Sequence, residues 1–376
     1  MDVDHGESML VKEPATTQQQ QQQRQQQQHQ HQQNQHQHQY QHQRAALVRQ
    51  AEAETEKIEE ALGWVLDLVQ RMAMGYFALS QFRCGDALES LGQMPNAQLD
   101  TAWVQAQMGR AHYEQAAYGN AEKHYARVRQ LAPTRLEDLE IYSTVLWHLK
   151  RETQLSYLAY ELTDAAYYAP QTWCVVGNSN SLSKEPEQAL ACFRRATAID
   201  PDFAYAHTLQ GHEHVANEEY EKALQAYRLA IAADHRHYNA YYGIGRVYER
   251  LGDYKAAHAH FHYASIINPT NPVLYVWIGT VLQAQKATAA ALQFFTKAVE
   301  LAPRAAQTRY KRARALLAVG QMEMARTELM RLKDLAPDEA RVHFLLGKLY
   351  RTMNERQLAV RHFSNALALD PKVGDG

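Results

Sequence analysis

The sequence predicts an all-α protein, an α-solenoid built from nine helix-turn-helix units of 34 residues. Three observations predict this fold: a period in the prolines, a glycine at one fixed position of that period, and an alanine at another. Because a proline cannot continue the helical hydrogen-bond ladder, each one is expected to end a helix. The prolines recur on a grid of 34 residues that steps over His235 and, extended backwards, reaches Pro133; its members are Pro201, Pro269, Pro303, Pro337 and Pro371.

The grid divides the chain into units that begin at residues 68, 102, 136, 170, 204, 238, 272, 306 and 340. A period of 34 residues is the signature of the tetratricopeptide repeat, in which helix A is followed by an antiparallel helix B. We expect the small residues at positions 8 and 20 to face each other where A and B cross. A larger side chain there would cost roughly 1–3 kcal/mol. Position 8 is Gly75, Gly109, Ser143, Gly177, Gly211, Gly245, Gly279, Ala313 and Gly347; position 20 is Ala87, Ala121, Leu155, Ala189, Ala223, Ala257, Ala291, Ala325 and Ala359.

Two glycines, Gly243 and Gly245, raise the alternative of a phosphate-binding loop. A dinucleotide fingerprint needs a third glycine three residues further on, between a strand and a helix, and that position is Tyr248. The repeat instead places both glycines inside a helix A, with Gly252 in the turn to helix B. Unit 136–169 departs most from the pattern, so we expect two helices with altered packing there.

Composition separates the N-terminus from the rest. Residues 1–54 include a Gln tract with interspersed His, which buries too little apolar surface to offset chain entropy. We therefore expect a disordered tail over 1–54, the solenoid over 55–373, with its first helix starting near residue 55, and a short tail over 374–376. The stretch MDVDHGESML lacks the apolar core of a signal peptide, and no apolar run is long enough to cross a membrane.

Charge and cysteine content limit the functions and the cellular compartments that are compatible with the sequence. The formal net charge of −2 lacks the basic excess of nucleic-acid-binding proteins, so neither nucleic acid nor a membrane is an expected partner. Cys84, Cys174 and Cys192 have no C-x-x-C spacing, which suits a reducing compartment, the nucleus or the cytoplasm. We expect no cofactor, because no phosphate loop, nucleophile elbow or paired-cysteine metal site is present.

Stacked units of this kind present helix A on a concave groove suited to extended peptides. Positions 2, 5, 9 and 12 of helix A are expected to face that groove. Counted through the central units, they offer hydrogen-bonding, charged and apolar side chains, among them Asn178, Tyr205, His212, Asn239, Tyr242, Arg246, Glu249 and Val276.

Several stretches go beyond a generic repeat. The segments around IYSTVLWHL (141–149), WCVVGN (173–178), AIDPDFAYAHTLQGHE (198–213) and RHYNAYYGIG (236–245) resemble the C-terminal half of the cell division cycle protein 27 family. That family is made of tetratricopeptide scaffold subunits of the anaphase-promoting complex, a ubiquitin ligase. The resemblance covers about residues 55–373.

The resemblance implies a non-catalytic scaffold in cell-cycle progression, found in the nucleus and cytoplasm. Its groove would capture the Ile-Arg C-terminal tails of coactivators and of a core subunit. The family motifs fall on Asn178, on His212 with Glu213, and on Asn239 with Tyr242. For such a tail, the repeat positions predict donors to the carboxylate (Asn178, His212, Asn239, Arg246), acceptors for the guanidinium (Glu213, Glu249) and an apolar pocket (Tyr205, Tyr242, Val276).

Three further features bear on oligomeric state and on alternative functions. Family members carry an N-terminal repeat half that forms a homodimer, whereas a Gln-rich tract stands there in this chain, so homodimerisation is undecided. A co-chaperone adaptor is the alternative function, but its clamp needs Lys at position 5 and Asn at position 9, and no unit has that pair. A glycosyltransferase repeat arm would need a catalytic domain, and this sequence contains none.

Overall fold

The computed structural model describes residues 15–373 of the chain, with the side chains of residues 15–30, 32, 33 and 35 left out. Within those residues the regular secondary structure is entirely helical, and the chain divides into two compact units at the 70/71 boundary. The nine predicted repeat units are confirmed. Eighteen of the described helices form the nine pairs, and the four-residue α3 lies between the first and second pairs. The helices are α1 (Ala15–Ser80), α2 (Cys84–Gly92), α3 (Asn96–Leu99), α4 (Ala102–Glu114), α5 (Tyr118–Leu131), α6 (Leu139–His148), α7 (Glu152–Ala165), α8 (Pro170–Leu182), α9 (Pro186–Ile199), α10 (Ala204–Ala216), α11 (Tyr220–Ala233), α12 (Tyr238–Arg250), α13 (Tyr254–Ile267), α14 (Pro272–Ala284), α15 (Thr288–Leu301), α16 (Ala306–Val319), α17 (Met322–Leu335), α18 (Ala340–Thr352) and α19 (Arg356–Leu369).

The N-terminal boundary differs from the sequence-based expectation. Disorder was expected over 1–54, but α1 begins at Ala15 and continues without a break into the first repeat. Gln is a good helix former and the segment contains no proline, so local propensity favours a helix even without a core. Every described side chain from residue 36 to residue 67 is exposed. The expectations for residues 1–14 and 374–376 fall outside the described residues.

Each turn from helix A to helix B is made at position 15 of the unit, in the left-handed region of backbone space. Glycine, which adopts this region without strain, occupies it only at Gly252 (φ 79°) and Gly320 (φ 83°). The other seven units place a side chain there, at Phe82, Ala116, Lys150, Lys184, Glu218, Lys286 and Asn354, with φ between 56° and 67°. The turn geometry is therefore imposed by the packed helices rather than by glycine chemistry.

The small residues at position 8 allow helix A to pack against helix B, as expected. Their contact on helix B, however, is the residue at position 24 and not the alanine at position 20. A Cβ added to Gly245 would lie 2.7 Å from Cε1 of Phe261, which is position 24 of its unit, not position 20. The same relation joins Gly279 to Phe295 (2.7 Å) and Gly347 to Phe363 (2.6 Å). The position-20 alanines are buried as well, so the absence of a side chain at position 8 makes room for an aromatic ring.

Gly243 makes a similar contact with the preceding unit. A Cβ there would collide with the ring of Tyr227, and so would a Cβ on Gly211. Tyr227 thus packs against one glycine of its own unit and one of the next. Gly243 and Gly245, which raised the alternative of a phosphate-binding loop, are therefore packing residues inside a helix.

The irregular unit 136–169 also behaves as expected. Its helix A, α6, has only 10 residues and starts after Asp138, which has a left-handed backbone. Ser143 replaces the usual glycine at position 8, and Ala159 replaces the aromatic ring at position 24. The larger residue on one helix is matched by the smaller one on the other.

Contacts also join the first two repeat units to the sixth, over about 150 residues of chain. The Nδ2 of Asn268, a fully buried side chain, donates to Oε2 of Glu114 at 3.1 Å. Nearby, Phe82 packs edge-on against Tyr238 with 5.4 Å between ring centroids. These contacts bring distant repeats together, and the inner faces of the repeats between them form the cavity described next.

None of the helices in the described part of the chain combines the length and apolar character that a bilayer-spanning helix needs.

Candidate functional site

A cavity of about 730 Å³ lies between the helix A faces of six consecutive units, from α4 to α14. Its walls are mainly aromatic and apolar, with a few polar groups pointing inward, which is the usual make-up of a ligand pocket. The helix A residues that line it are Tyr113, Thr144, Trp147, His148, Asn178, Ser181, Tyr205, Thr208, Leu209, His212, Glu213, Ala216, Tyr238, Asn239, Tyr242, Val273 and Leu274.

The structure brings six of the nine sequence-predicted site residues to this cavity. They are Asn178, Tyr205, His212, Glu213, Asn239 and Tyr242. Repeat spacing alone could place them on one face of successive helices. The cavity also needs a second wall, which side chains of α4 and α6 form opposite these six residues.

Asn178 is held by the protein itself. Its side chain is buried, and its Nδ2 donates to Oγ of Ser143 at 2.8 Å and to Oγ1 of Thr144 at 3.1 Å. An amide nitrogen has two hydrogens, so both are already donated. The expected donation from Asn178 to a ligand carboxylate is not available in this arrangement, and the residue fixes α8 against α6 instead.

Thr144 is the centre of a small hydrogen-bond network. Its Oγ1 accepts from Asn178 and also from Tyr205 Oη, at 2.7 Å, and it donates to the carbonyl oxygen of Glu140. The hydroxyl of Tyr113 lies 3.3 Å from that of Tyr205. Burial raises the pKa of both tyrosines, so the phenols stay neutral. Satisfied buried networks of this kind hold a wall rigid.

Among the described residues that line the cavity, Glu213 is the one acidic side chain. Its side chain is 9% exposed. Burial raises the pKa of Glu213, while a hydrogen bond from Ser181 lowers it. A cationic ligand group entering the cavity would meet this acid in a site with few competing waters, where a charge-assisted hydrogen bond is strong.

The histidines around the cavity are neutral at physiological pH. The His212 side chain is exposed toward the cavity, but the protein around it still disfavours its charged form. Together with repulsion from His148, His237 and Arg246, this lowers the pKa of His212 to about 4. Burial likewise lowers the pKa of His148 to about 4. The Nδ1 of His212 lies 2.8 Å from the hydroxyl of Tyr227, which leaves Nε2 for a ligand. His212 is thus suited to hydrogen bonding rather than to ion pairing.

Asn239 and Tyr242 complete the α12 wall. Both are half-buried, and the side chain of Asn239 acts to lower the pKa of the nearby Tyr113 hydroxyl. The ring of Tyr242 lies 5.7 Å from that of Phe261, centroid to centroid. This part of the wall offers an apolar ring next to an amide.

The remaining three predicted residues do not line the cavity. Arg246 and Glu249 form an ion pair with each other, Nη1 to Oε2 at 3.0 Å, and the Arg246 guanidinium lies 3.6 Å from the centroid of Trp277. Val276 is half-buried outside the lining. Position counting placed them on the groove side, but it could not show that the two charges neutralise each other or that Trp277 covers the arginine.

The opposite wall was missed by the sequence reasoning. Tyr113, Thr144 and Trp147 occupy positions 12, 9 and 12 of units 102–135 and 136–169. The same positions were read in the central units only, so extending the count to these two units would have found all three. Among the described residues, no group of three or more His, Cys, Asp or Glu side chains could hold a metal ion.

Comparison with known families agrees with this architecture. Models described as tetratricopeptide repeat match residues 170–203, 208–272, 282–349 and 340–373. The chain belongs to the tetratricopeptide-repeat family. The repeat boundaries at 170 and 340 coincide with those given by the proline grid.

Within tetratricopeptide proteins, the chain is similar to those that the sequence motifs suggested. It is 52% identical over 323 residues to protein bimA of Emericella nidulans, covering 86% of this chain and 40% of that protein. It is 40% identical over 325 residues to anaphase-promoting complex subunit 3 of Schizosaccharomyces pombe, covering 86% and 49%. Cell division cycle protein 27 homolog B of Arabidopsis thaliana is 38% identical over 311 residues, covering 83% and 42%. The resemblance to cell division cycle protein 27 is confirmed.

The chain spans less than half the length of these relatives. Among solved structures, the Cut9–Hcn1 hetero-tetramer of the anaphase-promoting complex is similar in fold, with a TM-score of 0.61 and 18% identity over 77% of this chain and 57% of that one. At that identity the likeness concerns the tetratricopeptide fold alone.

Proposed function

We propose that this chain is a non-catalytic scaffold subunit of an anaphase-promoting complex, acting in ubiquitin-dependent cell-cycle control in the nucleus and cytoplasm. The observation that carries the proposal is the 40% identity to a protein named anaphase-promoting complex subunit 3, spread over 86% of this chain. A similarity of that extent covers far more of the chain than a single 34-residue repeat. The other subunits of that complex are the proposed partners.

We further propose that the cavity binds the Ile-Arg C-terminal tail of a coactivator or of another subunit. An arginine side chain needs a buried acceptor, and Glu213 supplies a carboxylate that is 9% exposed. An isoleucine side chain needs an apolar surface, and Tyr205, Tyr242 and Leu209 provide one in the same cavity. For the terminal carboxylate, His212 Nε2 and the amide of Asn239 are the donors on the α10–α12 side.

The predicted cation and the predicted anion outside the cavity, Arg246 and Glu249, are assigned a different role. Arg246 and Glu249 pair with each other, so their charges do not need a ligand. The proposed tail site is therefore smaller than the set expected from repeat positions. It lies between α8, α10 and α12, facing the wall formed by α4 and α6.

Affinity purification of the tagged chain from cells, followed by identification of the recovered proteins, tests the scaffold role. We expect subunits of the ubiquitin ligase, recovered in comparable amounts with wild type and with a Glu221→Gln control variant on the outer helix α11. Recovery of molecular chaperones in place of ligase subunits would support the co-chaperone alternative and contradict the proposal.

A further inference from the structure

The inner helices of the last three repeat units have an unusual charge composition. Helices α14, α16 and α18 contain no Asp or Glu, whereas α16 and α18 together contain seven Lys and Arg residues. The acidic residues of these units lie on α15, α17 and the connecting turns, as at Glu300, Glu323 and Asp338. Helices α16 and α18 therefore carry cations without any acidic residue among them, whereas α15 and α17 carry both signs of charge.

Part of this charge is neutralised inside the protein. Arg309 and Arg312 of α16 both pair with the buried Glu328 of α17, at 2.6 and 3.3 Å. The other five cations have no carboxylate of the described residues within ion-pair distance, namely Lys311, Arg314, Arg341, Lys348 and Arg351. All except the half-buried Lys311 are exposed. We call these five residues the basic face.

The basic face occupies positions equivalent to the cavity lining. Arg314 and Lys348 are position 9 of their units, the position held by Asn178 and His212 in the cavity wall. Burial, together with the neighbouring charges of Arg314 and Arg246, lowers the pKa of Lys311, while Glu249 acts in the opposite direction. The charge of Arg314 therefore acts on Lys311, and a bound anion would relieve the repulsion between these two.

The aromatic residues of this region decide which kind of anion fits. One face of Trp277 is covered by Arg246 at 3.6 Å from its centroid, and the ring packs against Phe261. Phe344 has Lys348 over its face at 4.4 Å and the edge of Phe363 against it. Arg246 and Phe261 both lie against Trp277, and Lys348 lies over one face of Phe344, so these two rings offer a nucleobase little surface for stacking. An extended protein segment needs only the charges.

We propose that the basic face binds an acidic, Asp- and Glu-rich segment of a protein partner, at a site separate from the tail cavity. The inference does not depend on the tail proposal, because it uses none of the cavity residues. Exposed charges act through many weak, salt-sensitive contacts, so the affinity should fall as salt is added.

Fluorescence anisotropy with a labelled poly-glutamate peptide tests this, with an identically labelled poly-glutamine peptide and a single-stranded RNA oligonucleotide as comparisons. We expect the wild-type chain to bind poly-glutamate and not poly-glutamine. The Arg314→Gln/Lys348→Gln variant should bind about fivefold more weakly or worse, at about 0.5 kcal/mol per lost pair.

The Arg331→Gln/Arg361→Gln variant is the matched control, because it removes the same charge from exposed positions of α17 and α19. We expect this variant and Glu213→Gln to bind poly-glutamate as the wild type does. Three results would overturn the proposal: no poly-glutamate binding by wild type, an equal loss in the control variant, or tighter binding to the RNA.

Discussion

A Cβ atom placed on Gly245 would lie 2.7 Å from Cε1 of Phe261, closer than carbon atoms of this kind approach each other in proteins. The glycine is therefore required by the ring of the antiparallel helix, not by backbone conformation, since it lies inside α12. The same pairing of position 8 with position 24 recurs through the solenoid, and it keeps the A helices close to the B helices. The distance between helices A and B in turn determines where the helix A side chains that line the cavity lie.

We expect Gly245→Ala to destabilise the protein by roughly 1–3 kcal/mol, because Phe261 is fully buried and has little room to move. Gly119→Ala is the matched control, since a Cβ at Gly119 meets nothing within 4 Å. That control should be neutral or slightly stabilising. Urea unfolding measures both, and equal stability of the two variants would show that the ring does not constrain position 8.

We expect Lys286→Gly to stabilise the protein by up to about 1 kcal/mol. Lys286 has φ 65°, a backbone conformation that is strained for residues with a Cβ, and relief of this strain exceeds the entropy that glycine adds to the unfolded chain. The reverse change, Gly252→Lys, tests the same effect with opposite sign, because a Cβ at Gly252 meets no atom within 4 Å. A shift of both melting temperatures in the same direction would contradict the turn argument.

We expect Asn268→Ala to cost roughly 1–3 kcal/mol of stability, because it leaves the buried carboxylate of Glu114 without one of its donors. Asn365→Ala, at an exposed position of α19, is the control and should change little. Thermal unfolding compares them. If Asn268→Ala is as stable as the control, the contact between the second and sixth repeat units contributes nothing to the fold.

Glu140 gives the protein a pH dependence of defined sign. Burial, aided by the nearby Asp138, raises the pKa of Glu140 from 4.5 to about 8, and its Oε2 has no hydrogen-bond partner. Between these values the folded state keeps a proton that the unfolded state has lost, so the contribution to stability falls as pH rises. Glu140→Gln should remove roughly 1–3 kcal/mol of that fall between pH 5 and 8, measured by urea unfolding at several pH values.

The exposed Glu221 of α11 provides the control, since Glu221→Gln should leave the slope unchanged. An unchanged slope in the Glu140→Gln variant would mean that this carboxyl is ionised in the folded protein.

The fold was predictable from the sequence because the same residue types recur at the same positions of successive repeats. Proline at the end of helix B, glycine at position 8 and alanine at position 20 recur at one spacing, and the unit boundaries follow from them. The exact partner of the glycine was not predictable, because spacing along two antiparallel helices leaves the crossing point uncertain by one turn. The ring of Phe261 shows that point directly.

The candidate site was predictable in part. Repeat positions and family motifs led to Asn178, His212 and Glu213, all of which line one cavity. They could not reveal how individual groups are engaged, since the donors of Asn178 are taken by Ser143 and Thr144 from another unit. Contacts between distant repeats depend on the curvature of the stack, which the sequence of one repeat does not contain.

Fluorescence anisotropy with a labelled peptide ending in Ile-Arg tests the central claim, that the cavity captures such a tail. We expect the wild-type chain to bind it, and Glu213→Gln to bind about tenfold more weakly through loss of one charge-assisted hydrogen bond of roughly 1.5 kcal/mol. The exposed control Glu221→Gln should bind as wild type, and a peptide with an amidated C-terminus should bind more weakly. No binding by wild type at high micromolar peptide, or equal binding by wild type and Glu213→Gln, would contradict the account.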